Sequence, residues 1–212
     1  MSIERFENVL VLAPHTDDGE FGCGGTMARL IEGGARVTYA AFSTAAKSVP
    51  EGFPRDVLKH EVRAATSLLG IPETDLRVYD FEVRTFPTVR QDILEEMIVL
   101  QQELRPDCVL MPALVDLHQD HKTVAEEGLR AFKRTTVMAY EIPWNNINFN
   151  HQAYVRLEER HVEKKVKALA CYQSQGHRNY TREDYIRNIS LTRGIDVGLD
   201  FAEVFEVYRW IL

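Results

Sequence analysis

A chain of 212 residues can bury a full core and suits one large domain better than two small ones, so a single domain over residues 1–212 is expected. Charged residues at 27% and apolar residues at 45% exclude fibrous, low-complexity and disordered classes, and a formal net charge of -7 argues against a nucleic-acid partner. No apolar run nears the roughly 20 residues that span a bilayer, Met1–Arg5 opens no signal-peptide core, and Cys23, Cys108 and Cys171 are too scattered for a disulfide framework; a cytoplasmic protein without a membrane span is expected.

Strand-like apolar runs at about Val9 to Ala13, Arg36 to Phe42, Leu76 to Phe81, Cys108 to Met111 and Thr136 to Glu141 alternate with amphipathic stretches. Met27, Leu30 and Ile31 share one helical face, as do Val57, Val62, Ala65 and Leu69, then Val89, Ile93, Met97, Leu100 and Leu104, and after them Val124, Ala125, Leu129 and Phe132. Trp144 to Tyr154, rich in Asn and aromatics and without periodicity, reads as a long loop. A helix through Val162, Val166 and Leu169 and a strand over Val204 to Leu212 close the chain. This βαβ rhythm predicts an α/β fold, a Rossmann-like doubly wound sheet, mostly parallel, with helices on both faces, strand order 3-2-1-4-5 and added C-terminal strand.

Two polar clusters sit where such a sheet does chemistry. Pro14-His15-Thr16-Asp17-Asp18 ends the first strand and crowds an imidazole and two carboxylates onto one turn; His118-Gln119-Asp120-His121 follows the fourth strand and opens a helix. In that strand order strands one and four are neighbours, and ligands bind beyond their carboxyl ends, so the clusters should meet. Adjacent carboxylates repel unless a cation or several donors hold them, and two imidazoles with a carboxylate match the donor sets of catalytic zinc sites that keep a position open for water. Asp120 could equally serve as a simple helix cap, and either histidine as a hydrogen-bonded structural residue. Gly22-Cys23-Gly24-Gly25-Thr26 lacks the third glycine of a dinucleotide fingerprint, where Met27 stands, and is read instead as a sharp turn that packs the next helix on the sheet. A two-His, one-carboxylate iron oxygenase would share His15-Thr16-Asp17, but the alternating architecture is unlike the all-β barrels of those enzymes.

These motifs closely resemble the LmbE-like, or PIG-L, family of metal-dependent N-deacetylases, marked by H-P-D-D after Pro or Ala, a G-x-G-G-T run and a later H-x-D-H. Leu69-Gly70-Ile71, Pro106-Asp107, Tyr172-Gln173-Ser174-Gln175 and Ala202-Glu203-Val204-Phe205 look like further landmarks. Thr16 replaces the usual Pro, Gly19 stands where many members have Glu, and Glu20 offers a further carboxylate as in members reading D-D-x-E. The resemblance implies His15, Asp18 and His121 as ligands of one Zn2+ per chain, with Fe2+ or another divalent metal as alternatives. It also implies Asp17 as general base and His118 as an electrostatic or proton-donating partner oriented by Asp120. The implied reaction removes an N-acetyl group from an amino sugar, often N-acetylglucosamine or a conjugate of it.

An acetamide is a poor electrophile, so its hydrolysis needs a polarised carbonyl and a water made nucleophilic near neutral pH, which a Lewis-acidic ion with a neighbouring base supplies. Position and chemistry add Arg55, Arg84, Glu141 and Trp144 as candidate substrate-binding residues, the aromatic to stack on a pyranose and the charges to hold hydroxyls or a phosphate. The alternatives are hydrolysis of a non-sugar amide and a catalytically silent metal- or sugar-binding member; an intact Asp17 argues against silence. The expected partner is a small N-acetylated molecule, and homo-oligomerisation is left open.

Overall fold

The computed structural model describes residues 3–211; Met1, Ser2 and Leu212, the last residue of the expected final strand, lie outside the described residues. The chain runs β1 (Asn8–His15), α1 (Asp18–Glu32), β2 (Arg36–Ser43), α2 (Val57–Leu69), β3 (Leu76–Val78), α3 (Arg90–Leu104), β4 (Cys108–Pro112), α4 (Gln119–Ala131), β5 (Thr136–Tyr140), β6 (Ala153–Leu157), α5 (Glu159–Leu169), α6 (Glu183–Ile195) and β7 (Phe201–Arg209). One sheet orders the strands 3-2-1-4-5-7-6. β1 to β5 are parallel, as expected, and β7 inserts antiparallel between β5 and β6. No helix among the described residues is long and apolar enough to cross a membrane.

Successive side chains of a strand point to opposite faces, and β1 is buried on both, which is why it reads as an unbroken apolar run. Val9, Val11 and Ala13 enter the core under α1, α2 and α5, whereas Leu10 and Leu12 enter the core under α3 and α4. β1 and β4 pair through Val9 to Val11 against Cys108 to Leu110, so both open at the same sheet edge, and there the strand order reverses.

Three expectations need correction. The third strand is shorter than predicted, because after Val78 the chain keeps only isolated bonds to β2, Tyr79 N–H to Ala41 O at 2.8 Å and Phe81 N–H to Phe42 O at 3.1 Å. The expected long loop ends at β6, whose alternation is a brief five residues, and α6 lies where no helix was anticipated. Finally, the glycines form no turn ahead of a helix: they lie inside α1, which starts at Asp18 and is broken at Cys23, where the backbone leaves helical geometry. Glycine is needed because the helix is pressed onto its neighbours. A Cβ at Gly19 would fall 2.5 Å from the Tyr39 ring, and one at Gly25 2.5 Å from Leu157.

A broken helix exposes a second set of unpaired N–H groups, and here they are buried. Glu203 of β7 reaches into the break and accepts the Gly25 and Thr26 N–H groups at 3.0 and 2.6 Å, while Lys165 of α5 closes a buried ion pair with it at 2.7 Å. Removing one partner of such a pair strands the other charge, so Glu203→Ala is expected to lower the unfolding free energy by roughly 3–5 kcal/mol. The paired change Lys165→Met with Glu203→Gln should cost clearly less, as measured by denaturant titration.

Candidate metal centre and active site

His15 is the last residue of β1, Asp17 is the N-cap of α1, and Asp18 opens that helix; His118 is the N-cap of α4 and His121 lies in its first turn. The two clusters meet as the topology requires. His15 Nδ1 lies 3.1 Å from Asp18 Oδ2, His121 Nε2 lies 3.2 Å from the same oxygen, and the two inner nitrogens are 3.3 Å apart. Donors about 2.0–2.1 Å from a tetrahedral zinc would stand about 3.3–3.4 Å from one another, so the three atoms already have the spacing of one face of such a polyhedron.

The outer nitrogens explain why the inner ones face each other. His15 Nε2 is 3.0 Å from Asp120 Oδ2 and His121 Nδ1 is 2.9 Å from Asp116 Oδ2, and both carboxylates are buried. Each imidazole can give one ring proton to the carboxylate behind it and present its inner nitrogen to a shared positive charge, the arrangement by which a second layer of acids orients metal-binding histidines. Electrostatics agree. Burial works against charge on His121, yet the Asp18 and Asp116 carboxylates outweigh it and lift the ring to about 10; burial likewise opposes ionisation of Asp18, but His121 and His15 hold it well below the usual carboxylate range. The cluster therefore attracts positive charge, and its donors fit a divalent cation. His118 widens the set to three imidazoles whose nitrogens all lie within 4.8 Å, a looser grouping than the His15, Asp18 and His121 atoms.

The expected pairing of Asp120 with His118 is corrected. Asp120 Oδ2 is 4.0 Å from His118 Nδ1, and that carboxylate is engaged by His15 and by the N–H groups of Arg84 at 2.6 Å and Phe86 at 3.3 Å. Residues two apart on a helix do not face each other. His118 instead accepts the backbone N–H of Asp120 on Nδ1 at 3.2 Å, which leaves its proton on Nε2. Burial and the neighbouring His121 and His15 push His118 down to about 4, so it is a neutral imidazole at neutral pH. Asp17 is different again: burial and the adjacent Asp18 charge push it up to about 6, with His15 and Arg178 pulling the other way. Glu20 contributes no carboxylate to the site. It is buried beneath the turn within hydrogen-bond reach of the Tyr39 and Tyr172 hydroxyls, each of which, with one proton to give, also lies against Thr16 O, at 2.9 and 2.6 Å.

Around these groups lies a cavity of about 280 Å³, walled by His15, Asp17, Asp18, His118 and His121 and closed by Phe21, Trp144 and Tyr180. Of the residues expected to touch substrate, Trp144 lines it, stacked on Tyr180 at 4.1 Å and set edge-on to Phe21 at 5.2 Å. Arg55 and Arg84 line a separate open shelf that shares Val83 with the cavity. Glu141 does not line it: Arg193 of α6 holds its carboxylate at 2.6 and 2.9 Å, away from the metal-type centre. Asp116, Gln175, Arg178 and Tyr180 were not anticipated. Asp116, two residues before His118, was legible as a possible partner of the cluster; Gln175 closes the Tyr172-Gln173-Ser174-Gln175 landmark, to which no role was given, and Arg178 and Tyr180 follow it in a segment with no periodicity to place it.

A doubly wound sheet that brings together, beyond its first and fourth strands, His15 from β1, Asp18 from α1 and His121 from α4 defines an α/β enzyme with a centre shaped for a cation. Residues 10–132 match the PIG-L family, GlcNAc-PI de-N-acetylase, and the chain belongs to that family. It is similar to the diacetylchitobiose deacetylase of Thermococcus kodakarensis, with 26% identity over 93% of this chain and 81% of the relative. A probable N-acetyl-alpha-D-glucosaminyl L-malate deacetylase 2 of Bacillus cereus is 30% identical over 60% of this chain and 61% of its own length. The 4-carboxy-2-hydroxymuconate hydratase GalB of Pseudomonas putida shares the fold, with a TM-score of 0.81 at 19% identity over 97% of this chain and 98% of that one.

If Asp116 and Asp120 aim the two histidines, their loss should be felt in metal affinity. Asp116→Ala and Asp120→Ala are each expected to weaken zinc binding by about 10–100-fold in competition with a chromophoric chelator.

Proposed function

We propose that this chain is a zinc-dependent N-deacetylase of an amino sugar or amino-sugar conjugate, with His15, Asp18 and His121 as the metal ligands. The observation that carries the reading is the convergence of His15 Nδ1, His121 Nε2 and Asp18 Oδ2 within 3.1–3.3 Å, with Asp17 on the wall of the same cavity. The family supports the reaction class, and the relatives' names, a disaccharide and a malate conjugate, leave the aglycone open. The Trp144 and Tyr180 stack favours a sugar, since a flat aromatic wall suits the apolar face of a pyranose.

His15, Asp18 and His121 would hold a divalent cation, which when bound would supply the Lewis acidity that polarises an acetamide carbonyl and acidifies a water. Asp17 is the base. A carboxylate raised to about 6 is ionised at neutral pH and still basic enough to accept the proton of the attacking water. His118 keeps its Nε2 proton and offers it as a hydrogen bond to the oxygen that gains charge as the carbonyl becomes tetrahedral. That assigns the leaving amine to Asp17, which returns the proton it took as the C–N bond breaks. Acetic acid and the amine are formed, the acid's proton passes to the more basic amine so that acetate and an ammonium leave, and Asp17 is restored to its starting charge.

Adjacent aspartates with opposite phenotypes test these roles. Asp18→Ala should lose the metal, whereas Asp17→Asn should retain it and lower kcat by about 10²–10⁴-fold. Metal content by elemental analysis together with acetate release from a panel of N-acetylated sugars and amides checks both, and a metal-free protein that hydrolyses the panel at full rate overturns the reading. His118→Ala should retain metal and lose about 10²–10³-fold, chiefly in kcat, as expected for a group that acts on charge developing in the transition state.

A further inference from the structure

The shelf beside the cavity, formed by residues 46–55 and 82–85, has a volume of about 820 Å³ and sets Lys47, Arg55 and Arg84 against Glu51 and Glu82, a positive balance on an acidic chain. Lys47 and Glu82 neutralise each other across it at 2.7 Å. Arg55 and Arg84 are not neutralised. Among the described residues neither shelf arginine has an ion-pair partner, and the guanidinium of Arg84 is engaged by the Ser48 hydroxyl at 3.1 Å. Glu51 is the remaining acid on the shelf.

Arg84 also stands in left-handed backbone geometry, with φ of 71°, a conformation that a residue with a Cβ adopts at a cost and that tends to mark ligand clamps. That geometry aims its N–H at Asp120, whose carboxylate holds His15, so the shelf begins one hydrogen-bonded carboxylate away from the metal-type centre. Glycine would make the same backbone bond without strain, so the arginine side chain is the part that the backbone bond leaves unexplained.

We propose that the substrate carries an anionic group, a phosphate or a carboxylate, which Arg84 and Arg55 bind on this shelf while the acetamide occupies the centre. The inference rests on the deacetylase reading and narrows it from amino sugars in general to acidic ones. Guanidinium groups match both anions with paired, charge-assisted hydrogen bonds, and at this open position the preference should weaken as salt rises.

The test compares kcat/KM for N-acetylglucosamine with that for its 1-phosphate, its 6-phosphate and N-acetylmuramic acid, which separates phosphate from carboxylate. At least one acidic sugar should be favoured by about 10-fold or more, mostly through KM, the scale expected of hydrogen bonds between charged groups. Arg84→Gly, which keeps the backbone geometry, and Arg55→Ala should each shrink that ratio, and Arg84→Lys should keep part of it. Equal use of neutral and acidic sugars overturns the anion site and leaves the deacetylase standing. If no sugar is deacetylated, the underlying reading fails. Calorimetric binding of glucosamine 6-phosphate and muramic acid against glucosamine then decides the anion site: tighter acidic binding that Arg84→Gly abolishes supports it, and equal binding overturns it.

Discussion

Two imidazole nitrogens 3.3 Å apart, each on a ring whose other nitrogen faces a carboxylate, would set lone pair against lone pair if nothing positive lay between them. Much of the local structure serves to hold them there. Asp116 is fixed by the loop after β4, where it also accepts the His118 N–H at 2.8 Å, and Asp120 is fixed by two N–H groups from the loop after β3. Three separate connections of the sheet thus converge on two rings. The arrangement is stable only if something positive shares the lone pairs, a proton or a metal ion, and the neighbouring Asp18 carboxylate makes that demand stronger.

The same reasoning explains why four acids gathered at one sheet edge can do different work. Asp18 is held ionised by the histidines, Asp116 and Asp120 are spent on orienting rings, and Asp17, facing the cavity without a strong donor, is the one left basic. Glu20 shows the other limit. Enclosed with two phenols, its carboxyl is pushed up to about 8 by burial and holds the turn from below. Environment, more than residue type, divides these roles.

The parts legible in the sequence were those encoded locally or by topology. β1 and β4 announced themselves as doubly buried runs, and the strand-order rule was enough to bring His15 and His121 together. The failures share a cause, since each depended on a partner that periodicity does not reveal. Glu141 looked available at the end of a strand because its partner, Arg193, lies on α6, a helix whose buried face carries Ser190 and Gly194 beside Ile186 and so shows no apolar stripe. Asp120 was paired with its neighbour in sequence, although helix geometry turned it toward His15. The glycines read as a turn because glycine is a poor helix former, but close packing against Tyr39 and Leu157 outweighed propensity.

The helix that presents Asp17 and Asp18 is completed by a residue from the final strand: Glu203, 178 positions beyond Gly25, fills the break in α1. As the chain is synthesised, every proposed metal ligand has left the ribosome long before that carboxylate exists. The first five strands can pair in the order they emerge, but α1 keeps buried donors unsatisfied until β7 threads between β5 and β6. The metal-type centre is therefore written before the fifth strand and locked by the seventh, so a nascent molecule, or one clipped before β7, can hold all the ligands and still lack the rigid helix that aims two of its aspartates.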